Sequence, residues 1–182
     1  LRKYCSEEVV ALFENIIAPY KEKFLCEFAA VSHHDNCKGG LLAHTTKVVR
    51  LATLIKMYPE IMNRVSPDLL FIACALHDIG KIATPDAILL KPDLLSNIEY
   101  KLIKEHVKVG MKILQEVPMF QNIITIIGSH HERCDGGGYP QGLKGNEIPL
   151  LARIMIVADA FDAMTTSRIY RHKKTVKESL EE

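Results

Sequence analysis

No apolar run in this sequence reaches the ~20 residues that a membrane-spanning helix needs. Only residues 69–76 and 148–158 are strongly apolar, and both stretches carry or flank ionisable groups. Nothing near residue 1 reads as a secretory signal. There is no block of Lys or Arg, and 23 basic residues against 22 acidic ones leave a net charge of +1. A polymeric nucleic acid is therefore a poor partner. The cysteines, Cys5, Cys26, Cys37, Cys74 and Cys134, are five in number and include no C-x-x-C. This argues against a thiolate zinc site and a disulfide framework, and makes a reducing cytoplasm the expected compartment. Cys74 reads as a small core residue in an apolar helix. Cys134 carries no sign of activation. Repeats, low-complexity segments and strand patterns are also missing.

What is present is helical periodicity and enough apolar material, 48% of 182 residues, for a substantial core. Residues 6–23 read as an amphipathic helix and residues 32–40 as a polar segment. A helix is expected over 41–57. Ser66-Pro67 opens another that runs through 69–79 to Gly80. Ser96-Asn97-Ile98-Glu99 is a capping box whose helix carries His106. Residues 118–132 form a helix ending at His130-His131, and Pro149 opens one through Asp159 and Asp162. Residues 133–147 hold six Gly or Pro in fifteen positions, which excludes a regular element there. The fold class is all-α, a helical bundle. An N-terminal helix and polar loop (1–40) are expected to pack on a catalytic domain (41–182). A start without Met and an end shortly after the helix start at Thr175 suggest excision from a larger multidomain protein.

Five histidines and two aspartates recur along these helices: His44, His77-Asp78, His106, His130-His131 and Asp159. The intervals between them are 33, 28, 24 and 28 residues, about one helix and one turn each. Neutral imidazole and carboxylate suit first-row divalent metals, and seven ligands are about right for two ions. Each residue taken alone has an ordinary reading. His77-Asp78 could be satisfied by backbone, His106 could be a half-buried histidine, and His130-His131 could end an apolar helix. Asp159 lies inside an apolar run, where an unpaired carboxylate is costly. All seven being independently structural is the weaker account. Two ions bring four positive charges against two carboxylates, so the site would polarise a phosphodiester. A pair of ions can also share a water, convert it to hydroxide and clamp the phosphoryl oxygens. Asp78 is the natural bridging carboxylate. Lys81, Arg168 and Arg171 are cations able to meet phosphate oxygens, or else solvated surface charge.

The run His77-Asp78-Ile79-Gly80-Lys81 and the run from His130 through Glu132 to Gly138-Tyr139-Pro140 resemble the HD-GYP subgroup of HD-domain metal-dependent phosphohydrolases. So do Ala152-Arg153-Ile154, the run from Val157 to Thr165, and Arg168 with Tyr170-Arg171. The resemblance spans about residue 41 to the C-terminus. It implies a five-helix HD core with additional helices and a glycine-rich GYP loop. It also implies hydrolysis of cyclic di-GMP to the linear dinucleotide pGpG, or on to GMP. One metal would be held by His44, His77, Asp78 and Asp159, the other by Asp78, His106, His130 and His131. Iron or manganese is implied, with nickel or zinc as alternatives. Asp78 and Lys81 would be catalytic, and Lys81, Arg168, Arg171 and Tyr139 would contact substrate. A GGDEF-type synthase domain, an upstream sensor domain and a second copy of the chain are the implied partners. Some members take a third metal through a Glu four residues before the first histidine. Here that residue is Gly40, so two metals and the linear product are expected. His33, His34 and Asp35 read as a polar loop, not as further ligands. Two alternatives stand beside this reading: an enzyme for another cyclic dinucleotide such as cyclic GMP-AMP, and a non-catalytic nucleotide- or partner-binding domain. The complete ligand set disfavours the second.

Overall fold

The computed structural model describes residues 40–57, 61, 63–165, 175 and 178. The expected helix at 6–23, the loop with His33, His34 and Asp35, and Arg168, Tyr170 and Arg171 lie outside them. The described residues form seven α-helices and no strand; the only ladder contact among them is an isolated bridge between Asp135 and Lys144. We number the helices α1 (Gly40–Lys56), α2 (Pro67–Leu76), α3 (Asp86–Leu89), α4 (Asn97–Lys104), α5 (His106–Gln115), α6 (Gln121–Ile127) and α7 (Leu150–Thr165).

Helix α2 is the centre of the bundle. Ser66 caps it, accepting a hydrogen bond from the Leu69 amide, and Pro67 occupies the first turn, where an amide is not needed. Every residue from Leu70 to Leu76 is buried. A helix that is apolar all round must be covered on all sides, and α1, α6 and α7 cover it. Removing Leu76, 1% exposed, to Ala would cost about 2–5 kcal/mol. Cys74 is fully buried here, as its apolar setting suggests, while Cys134 is exposed.

The helices break where the ligands sit. Helix α2 stops at Leu76, so His77 and Asp78 lie in a turn before a 3-10 segment, Ile79–Ala83, and not inside a helix reaching Gly80. The reason is packing: the 3-10 segment lies against α5, and a Cβ at Gly80 would overlap the His106 carbonyl. Likewise the capping-box helix ends at Lys104, and His106 opens a separate helix after a turn at Glu105. The helix expected over 118–132 is a 3-10 turn, Pro118–Phe120, then α6. The His130-His131 pair follows in turns. Residues 133–147 are irregular except for one 3-10 turn, Gly145–Glu147, at their end.

Candidate metal centre

Breaking the helices aims the histidines. His77, His106 and His130 each place Nδ1 on the backbone carbonyl three residues earlier: Cys74 at 2.8 Å, Ile103 at 2.6 Å and Ile127 at 2.6 Å. A carbonyl only accepts, so Nδ1 carries the hydrogen and Nε2 is left with its lone pair. His44 instead places Nδ1 on a carboxylate, Asp162 Oδ2, at 2.7 Å. The ligand atoms converge as two groups: Asp78, His106, His130 and His131, and His44, His77 and Asp159. Within each group the atoms lie within 4.8 Å of one another. Asp78 stands between them. Its Oδ2 lies 3.3 Å from His77 Nε2, and its Oδ1 lies 3.6 Å from His106 Nε2.

These residues fit divalent cations. His106 Nε2 and His130 Nε2 face each other at 3.2 Å. With both Nδ1 atoms donating, two lone pairs meet unless a cation lies between them. Protonation does not relieve the contact, because burial holds His106 down at about 4 and pushes His130 well below its ordinary value. Burial also lowers His131 to about 3. His44 behaves oppositely. Burial alone would lower it, but Asp159 at 3.2 Å and Asp162 raise it to about 9. Without metal, the two carboxylates favour a proton on His44.

Lys81 is 3% exposed and lies 2.7 Å from Asp78 Oδ2. Its ammonium faces a cleft of about 390 Å³ that His106, His130, His131, Tyr139 and Asp159 also line. The Tyr139 ring stacks on His131, with centroids 4.8 Å apart and planes at 27°. The structure thus brings together His44, His77, Asp78, Lys81, His106, His130, His131, Tyr139 and Asp159. Arg168 and Arg171 lie outside the described residues.

Sequence reasoning missed two carboxylates. Asp162, which holds His44, lies on the buried stripe of α7 with Met155 and Ala158, and that helical spacing was a readable signal. Glu132 is 1% exposed and accepts hydrogen bonds from the amides of Gln141, Gly142 and Leu143 at 2.6, 3.2 and 2.9 Å. It ties the glycine-rich loop to the turn that carries the histidine pair. Gly138 completes the tie, since a Cβ there would overlap the backbone of Glu132 and Arg133. Only position marked Glu132 in the sequence.

The sequence profile of the HD domain family matches residues 31–182. A cyclic di-GMP phosphodiesterase of Thermotoga maritima is 47% identical over 112 residues, 60% of this chain and 30% of that protein. A 3′3′-cGAMP-specific phosphodiesterase of Vibrio cholerae is 40% identical over 108 residues, 59% of this chain and 24% of that protein. Among solved structures, the HDG"Y"P protein Bd1817 of Bdellovibrio bacteriovorus superposes with a TM-score of 0.60 at 26% identity. That match covers 89% of this chain and 51% of the other. The chain spans a quarter to a third of the length of these curated relatives.

Proposed function

This chain belongs to the HD domain family, and from that premise we propose that it is a metal-dependent phosphodiesterase that opens cyclic di-GMP to the linear dinucleotide pGpG. The observation that carries the reading is the convergence of His44, His77 and Asp159 beside Asp78, His106, His130 and His131 under one cleft. Bound there, two divalent ions supply Lewis acidity to a phosphodiester and a nucleophile from water near neutral pH.

The protein's own residues do the rest. Asp78 offers one oxygen toward each group and fixes their separation. Backbone carbonyls behind His77, His106 and His130 hold the imidazoles in one tautomer, so the centre is organised before substrate arrives. Lys81 is positioned by Asp78 and meets a non-bridging phosphate oxygen, adding charge where the reaction develops it. Arg168 and Arg171 are assigned the remaining phosphate contacts, and Tyr139 the wall of the cleft. Iron or manganese is the expected metal, with nickel or zinc acceptable to the same donors. The expected substrate partners are small cyclic dinucleotides. A GGDEF-type domain, a sensor domain and a second copy remain the proposed protein partners. No helix among the described residues is long and apolar enough to cross a membrane.

The test is incubation of iron- or manganese-loaded protein with cyclic di-GMP, 3′3′-cGAMP and cyclic di-AMP, with products separated by chromatography. Accumulation of pGpG is expected. Absence of turnover with metal in place sinks the reading, and turnover of 3′3′-cGAMP alone moves it to the other substrate named among the relatives.

A further inference from the structure

Besides Lys81 the cleft is lined by Arg133, which is paired with Asp135, and a further cation that the metal centre does not use lies against two of the lining rings. Lys104, half-buried in the last turn of α4, places Nζ 4.5 Å from the Tyr100 ring centroid and 4.7 Å from that of Tyr139. Both rings line the cleft. The neighbouring carboxylate, Glu105, is taken by Lys108 at 2.9 Å. Among the described residues the Lys104 ammonium therefore has two aromatic neighbours and no carboxylate. Depth separates it from Lys81, which is 3% exposed against Asp78, whereas Lys104 is half-buried. Tyr139 already stacks on His131, whereas Tyr100 is 44% exposed, so a base reaches the Tyr100 ring with the Lys104 ammonium moving from over the ring to the edge of the base.

We infer that Tyr100 and Lys104 form a base-recognition subsite that takes one guanine of a cyclic dinucleotide; this rests on the phosphodiesterase reading above. A tyrosine ring offers any nucleobase a stacking surface and does not choose among them. The ammonium does choose. Guanine presents two adjacent acceptors, O6 and N7, which a lysine can meet. Adenine presents a donor beside N7 and repels it. Fixing one base at the rim also fixes which phosphodiester bond lies over the metal centre. Cyclic di-GMP has two equivalent bonds, so the choice is silent there. In 3′3′-cGAMP the bonds differ, and seating its guanine at Lys104 exposes only one. Water then adds across that P–O3′ bond, its hydroxyl going to phosphorus and its proton to the departing 3′ oxygen, giving a single linear isomer.

The experiment is hydrolysis of 3′3′-cGAMP by the manganese-loaded chain, resolving pApG from pGpA, with cyclic di-GMP run alongside. The chain should give one isomer in roughly tenfold or greater excess. Lys104→Met should bring the two isomers toward equality with metal content unchanged by elemental analysis. Lys104→Arg should restore the excess, because guanidinium reads the same acceptor pair. If Lys104→Met does not fold, Lys104→Ala serves the same comparison. Equal isomers from the unaltered chain, or an excess that survives Lys104→Met, overturn the subsite and leave the phosphodiesterase reading standing. If cyclic di-GMP is opened but 3′3′-cGAMP is not, the readout is KM for cyclic di-GMP. Lys104→Met should raise it about tenfold with kcat held, and an unchanged KM overturns the subsite. Turnover of neither dinucleotide overturns both inferences together.

Discussion

The two halves of the metal centre are built from similar ligands and solve the same problem differently. His106 and His130 are buried, and both lean on backbone carbonyls, with His131 beside them. Burial strips them of protons, so they are ready to bind. His44 is equally buried but is flanked by Asp159 and Asp162, which hold a proton on it up to about 9. Burial alone does not decide the charge of an imidazole; the nearest acceptor does. Without metal, burial favours neutral imidazoles in the one group, while two carboxylates favour a proton on His44 in the other.

The sharpest way to break this picture is at Asp78, whose oxygens lie 3.3 Å from His77 Nε2 and 3.6 Å from His106 Nε2. Asp78→Ala should empty both, and turnover should fall by more than the roughly 10- to 100-fold typical of an outer-sphere loss. Elemental analysis with a steady-state assay decides it, and full metal content in the variant would mean that Asp78 is not the bridge. Asp162→Asn tests the asymmetry itself. It removes the carboxylate behind His44 and should weaken one metal by about 10- to 100-fold, leaving the other unchanged in a chelator titration. Equal weakening of both would erase the distinction between the halves.

Acidity separates the halves without mutation. In chelated protein, His44 has a folded pKa raised above 6.5, so its contribution to stability is full below 6.5 and is lost as pH rises through about 9. His106 and His131 are lowered to about 4 and 3, so their contribution is full above 6.5 and is lost as pH falls toward those values. The thermal midpoint of metal-free protein should therefore decline on both sides of near-neutral pH, more steeply on the acid side, where several groups titrate. A midpoint that keeps rising to pH 9 contradicts the proton on His44. The smallest effect is a control remote from both halves. Ser96→Ala removes the capping box of α4, formed by reciprocal bonds between Ser96 and Glu99. It should cost about 1 kcal/mol in chemical denaturation and leave metal content untouched.

Much of this was readable from residue spacing. The Ser66-Pro67 start, the Ser96–Glu99 capping box and the continuous apolar run of α2 are local signals, and the helices began where those signals lay. The ligand residues stood out because histidine and aspartate are costly in apolar helices unless something pairs with them. Helix ends were less legible. Helix α2 stops at Leu76, short of Gly80, because the 3-10 segment that follows packs against α5, and that neighbour is distant in sequence. Glu132 and Asp162 were overlooked for the same reason, since their partners, the 141–143 amides and His44, are 9 to 118 residues away.

The sequence by itself determined an all-α chain with two strongly apolar stretches, a glycine-rich loop, and seven candidate ligands at helix-length intervals. Those follow from periodicity, capping chemistry and the cost of burying polar groups, all of which act over a few residues. Only the tertiary structure decided which imidazoles back onto carbonyls and which onto a carboxylate. It alone set the distances from Asp78 to His77 and His106 and laid Lys104 against two tyrosine rings. Such choices depend on distances between segments far apart in the chain, and electrostatic interactions depend on those distances rather than on sequence order.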